Sequence, residues 1–106
     1  MNKREDETRV VGIGWYRAEQ WSRLLEASVD RDDLESSHAE WEAGAKLRLA
    51  EFRATGVVVE RFDVDVEDLV RWCDATGCAL DGRARARYVA ERLRARDSQR
   101  PSGPVD

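Results

Sequence analysis

The chain has 106 residues with a formal net charge of −4, 38% of its side chains charged and 42% hydrophobic. That length fills one hydrophobic core and not two, and the acidic balance opposes a surface that binds nucleic acid all round. No run approaches the roughly 18–20 apolar residues that cross a bilayer, and the start MNKREDETR has no apolar stretch for a signal peptide, so a soluble cytoplasmic protein is expected.

Residues 1–9 are almost all charged or polar and residues 97–106 hold both prolines, so both read as disordered tails around one compact domain, 10–96. Val10, Val11 and Ile13, interrupted by Gly12 and Gly14, predict a short strand whose glycines permit close backbone approach or a bulge. From about Arg17 to Val29 the pattern turns helical, with Ala18, Trp21, Leu24, Leu25, Ser28 and Val29 on one side. Asp32 with Glu35 has capping-box spacing and starts a second helix running from about Asp33 to Thr55. Its stripe is Leu34, His38, Trp41, Ala45, Arg48 and Phe52, with Leu49 beside them, and Gly56 stops it.

Residues 57–64, VVVERFDV, make the strongest strand in the chain. Its only intrachain partner is the 10–14 segment. Two strands are marginal unless helices cover them, or a second copy extends the sheet through its open edge. Parallel pairing would make the two intervening helices the crossover. Asp65 caps a third helix with Val66, Leu69, Val70 and Cys73 inward and Trp72 beside them, and Gly77 ends it. Asp81 opens the fourth, where Ala86, Val89, Ala90 and Leu93 form the buried side and Tyr88 projects opposite. The expected fold is therefore α+β and mostly helical, ordered β-α-α-β-α-α, with a minimal two-stranded sheet.

Four tryptophans explain how so polar a chain folds. Trp21, Trp41 and Trp72 are assigned to the core. Trp15 and Tyr16 sit at a strand–helix junction, where an exposed pair would mark a binding patch, although the scarcity of other large apolar residues favours burial of Trp15.

Charge is unevenly placed: residues 1–80 hold 11 basic and 18 acidic side chains, whereas 81–106 hold seven arginines against four acids. Arg83, Arg85, Arg87, Arg92, Arg94 and Arg96, with Tyr88, could grip phosphates and stack a base. The alternative is that these arginines pair with the domain's own acids, which the net acidic charge favours. The last two helices also fit a helix-turn-helix, but the start of the fourth lacks Asn, Gln or Ser to read base edges, and a structural hairpin is preferred.

His38, the only histidine, reads as a core-edge residue rather than a proton shuttle with Glu35 or Glu42. Cys73 and Cys78 read as free, partly buried thiols rather than a redox or metal pair, and no zinc ligand set is complete. No catalytic, cofactor or metal residue is assigned. The chain is expected to be a non-enzymatic interaction or regulatory module whose partner is a protein or a second copy. Nucleic acid binding through the arginine helix is the alternative.

Taken together, GIGWYRAEQWSRLLEAS, the DLE…AEWE segment, GVVVERFDVDVEDLVRWCDATG and LDGRARARYVAERL resemble a family of small uncharacterised bacterial proteins, over about residues 12–94. The resemblance implies a bacterial cytoplasmic origin and brings no activity, ligand or partner. Its matching positions are Trp15, Tyr16, Trp21, Trp41, Trp72, Cys73, Asp81, Arg85 and Tyr88.

Overall fold

The computed structural model describes residues 10–99, so the tail expected at 1–9 and residues 100–106 of the tail expected at 97–106 lie outside the described residues. Strands β1 (Val10–Trp15) and β2 (Val58–Asp63) pair in parallel, with Val11 opposite Val59, Ile13 opposite Arg61 and Trp15 opposite Asp63. Between them run α1 (Trp21–Ala27) and α2 (His38–Ala54), and after β2 come α3 (Val66–Thr76) and α4 (Gly82–Gln99). This is the α+β, mostly helical β-α-α-β-α-α order that the sequence suggests.

The two-stranded sheet survives because helices cover both faces. Alternation puts Gly12 and Gly14 on one face, and α4 lies against them. A Cβ on Gly12 would overlap the Leu93 side chain, and one on Gly14 would sit 3.1 Å from Val89 and 3.2 Å from Val64. The glycines therefore serve close helix approach rather than a bulge. On the opposite face α2 packs against β2, burying Trp41, Ala45 and Leu49 at successive four-residue steps. The Trp15 and Trp41 rings meet edge to face at 5.1 Å.

Two helix starts differ from expectation. Arg17 is extended and Ala18–Gln20 form a 3-10 turn, so α1 begins only at Trp21. It ends before Ser28, where the chain turns away and the Val29 N–H donates to the Leu80 carbonyl at 3.0 Å. Val29 is exposed. The second helix starts at His38 rather than Asp33, because Arg31–Asp33 close a separate 3-10 turn. Its cap is Ser37, whose Oγ accepts from the Glu40 N–H at 3.2 Å. Ser37 and Glu40 repeat the spacing of Asp32 and Glu35, so the serine cap falls one motif later, with the Glu40 carboxylate accepting from Ser36 Oγ at 3.2 Å. Of the expected α2 stripe, Arg48 and Phe52 are exposed.

The remaining boundaries follow local chemistry. Gly56 and Gly77 take φ values of 88° and 76° as the glycine stops. Asp65 accepts from the Glu67 and Asp68 N–H groups at the start of α3, and Asp81 accepts from Ala84 N–H at the start of α4. α4 runs through Gln99, so residues 97–99, expected in the tail, are helical.

Candidate interaction surface

Most of the aromatic residues go inward, but Trp72, expected in the core, is half-buried against it and Phe52 is exposed. Trp15 and Tyr16 are 8% and 7% exposed, so the half-covered pair considered for the strand–helix junction is part of the core and offers no surface. Trp41 is the hub: Tyr16, Trp21 and His38 have ring centroids 5.2, 5.5 and 5.4 Å from it. The polar atoms of the cluster are used internally. Trp21 Nε1–H donates to the Glu35 carbonyl at 3.2 Å, and His38 Nε2 lies 2.6 Å from the Tyr16 carbonyl. A carbonyl can only accept, so His38 is the donor and its ring pins α2 to the end of β1. Burial pushes the Tyr16 hydroxyl up to about 12.

Tyr88 is likewise a core residue, contrary to the outward orientation expected of it. It is 2% exposed, between Phe62 and Trp72, and its hydroxyl donates to Asp68 Oδ2 at 2.5 Å. Burial, then Asp68, pushes that hydroxyl up to about 12. The helix is rotated to bury Ala84, Tyr88 and Val89, leaving Ala86 and Ala90 exposed and Leu93 half-buried. The reason is area: a tyrosine buries roughly 150–250 Å2, far more than two alanine methyls, and Asp68 removes the cost of burying its hydroxyl.

That rotation sorts the six arginines into two rows. Arg85, Arg92 and Arg96, spaced seven and four apart, face the domain, and each binds an acid from a different element. Arg85 holds Asp30 through two bonds, 2.7 and 3.1 Å, and also donates to Ser28 Oγ at 3.2 Å. Arg92 reaches Asp68 at 3.0 Å and covers the Tyr88 ring, and Arg96 grips Glu60 at 2.6 and 3.0 Å. The Arg85 pair is the most enclosed, with its two side chains 12% and 20% exposed. Arg85 holds the Asp30 carboxyl below the usual range, and the Tyr88 hydroxyl, then Arg92, does the same for Asp68.

Arg83, Arg87 and Arg94 form the outer row. With Ala90 they follow spacings of four, three and four, which is one helical face, and all are exposed. Arg87 pairs with Glu91 at 3.2 Å and lies over Trp72. Beside this row is a groove of about 220 Å3 lined by Gly12, Ala86, Ala90 and Leu93, with Glu60, Arg94, Arg96 and Asp97 at its rim. The sequence missed this groove because it counted Ala86 and Ala90 as core.

Among the described residues no helix is long and apolar enough to cross a membrane, and no group of His, Cys, Asp or Glu side chains is placed to hold a metal. No protein-family model, curated protein or solved structure matches the chain.

Proposed function

We propose that this chain is a small non-enzymatic interaction module that receives an acidic segment of a partner protein along the outer face of α4. One observation carries the reading: Ala86, Ala90 and Leu93 leave an open groove bordered by Arg94, Arg96, Glu60 and Asp97, on a helix that also exposes Arg83 and Arg87. Small side chains let a partner backbone approach, and the flanking guanidiniums favour carboxylates. His38 Nε2 is taken up by the Tyr16 carbonyl and the Tyr88 hydroxyl by Asp68, which supports binding over catalysis as the work of this fold. Resemblance to small uncharacterised bacterial proteins, and the cytoplasmic origin it implies, fit this reading without specifying the partner.

Nucleic acid is the competing occupant, because the outer arginines also suit phosphates. The inner row weakens that case, since Arg85, Arg92 and Arg96 already face carboxylates of the domain. Capture from native cell extract with the parent chain and with Ala90→Arg, which fills the groove, separates the two. A protein retained by the parent and lost with Ala90→Arg is the expected result. Retention of nucleic acid alone, released steeply by salt, or equal retention by both chains overturns the proposal. Light scattering shows whether the partner is a second copy joined through the edge of β2, which has no strand neighbour among the described residues.

A further inference from the structure

The C-terminal end of α3 carries two thiols that the surface above does not use. Gly77 turns the chain, and both the Gly77 N–H, at 2.9 Å, and the Cys78 N–H, at 3.1 Å, donate to the Cys73 carbonyl. The second of these bonds spans six residues and folds residue 78 back over residue 73. In helix caps of this form the side chains at those two places touch, ordinarily as an apolar pair. Here both are cysteine. The cap bonds make the two residues neighbours, and Thr76 Oγ1 stands 3.1 Å from the Cys78 sulfur. Both are free; Cys73 is buried and Cys78 half-buried, so a reagent in solvent meets Cys78 first.

We propose that Cys73 and Cys78 are an oxidisable dithiol, a modification site that takes a hydroperoxide and yields a disulfide across the α3 cap. The Cys78 sulfur attacks the peroxide O–O bond, keeps one oxygen as a sulfenic acid and releases the other as water or an alcohol. The Cys73 sulfur then attacks Cys78 Sγ, and the displaced hydroxide leaves with the Cys73 proton as water. Two thiols lose two electrons and two protons, and one peroxide is reduced. The cap hydrogen bonds already hold the two backbones together, so the ring joins residues that the turn has made neighbours. Burial, the Cys78 contact and the carboxylates of Asp74 and Asp81 push the Cys73 thiol up to about 11. Cys73 therefore rests protonated, and the second step, in which its sulfur attacks, quickens as pH rises.

The test treats the full chain with hydrogen peroxide near pH 8 and follows intact mass and alkylatable thiols. The expected product is a monomer that has lost two hydrogens and both thiols, regains both with dithiothreitol, and does not form in Cys78→Ser. Because Cys78 is the less buried partner, Cys78→Ser keeps the fold, which its circular dichroism confirms. Three results overturn the proposal: sulfinic acid at Cys78 with Cys73 still alkylatable, a disulfide only between chains, or a parent whose two thiols survive the treatment.

Discussion

The two halves of the molecule are held together by different physics. Around Trp41 the contacts are ring against ring, and the elements joined are β1, α1 and α2. Along α4 the contacts are guanidinium against carboxylate, reaching the loop after α1 through Asp30, α3 through Asp68 and β2 through Glu60. Burial of an indole is non-directional and large, whereas an ion pair is directional and offsets much of its own desolvation. The first half draws its strength from area. The second draws its geometry from charge placement, with Tyr88, Val89 and Leu93 supplying the apolar contact.

The largest effect should come from the ring cluster. Trp41→Ala removes the hub of four ring contacts and is expected to cost about 3–5 kcal/mol, a large share of the roughly 5–15 kcal/mol that holds a domain together. Loss of the cooperative thermal transition, or a midpoint lowered by on the order of 15 °C, is the expected melt. A parent-like midpoint would contradict the cluster's role.

Arg85→Ala tests the charged half, since it strands Asp30 in a mostly enclosed position. The expected cost is about 2–3 kcal/mol, read by urea unfolding. The pH dependence has a definite sign. Asp30 and Asp68 are lowered in the folded chain, so their stabilisation is present above the ordinary carboxylate pKa of about 4 and is lost as pH falls through the lowered values. Arg85→Ala should flatten the part of the acid limb that Asp30 contributes. An unchanged acid limb would show that the Arg85 pair contributes nothing to it.

The glycine face sharpens the comparison between helix and sheet. Gly14→Ala presses on Val89 and Val64, two branched buried side chains, and should cost about 1–3 kcal/mol. Gly12→Ala overlaps the end of the flexible Leu93 side chain, which can swing aside, and lies 3.3 Å from the single Val89 methyl rather than against two valines, so it should cost less, with the two melts compared directly. Equal midpoints would mean that α4 shifts as a body. Arg96→Ala should have the smallest effect, because its bridges are exposed and screened by salt. A midpoint fall as large as that of Arg85→Ala would mean that exposure does not set the strength of these pairs.

Much of the architecture was legible from local signals. Gly56, Asp65, Gly77 and Asp81 mark element ends because each satisfies a backbone need by itself. The run at 57–64 is a strand because branched residues suit no other short element. The start of α2 was legible only in part: Asp32 with Glu35 and Ser37 with Glu40 offer the same cap, and the choice fell to Ser37 because Arg31–Asp33 close a turn of their own and Asp30 is bound to Arg85 and to the Gly82 N–H. The candidate surface was less legible. Tyr88 and Ala90 lie on different sides of α4, and helical spacing cannot rank one ring against two methyls.

The sequence by itself determined the order of helices and strands, the ends set by Gly56, Asp65, Gly77 and Asp81, and that indole rings must close the core, because caps and periodicity depend on neighbours within a turn or two. Only the tertiary structure decided the rotation of α4, and with it which arginines are spent on Asp30, Asp68 and Glu60 and which face outward. That rotation minimises exposed area over the whole domain, and the carboxylates that fix it lie 24 to 55 residues away along the chain.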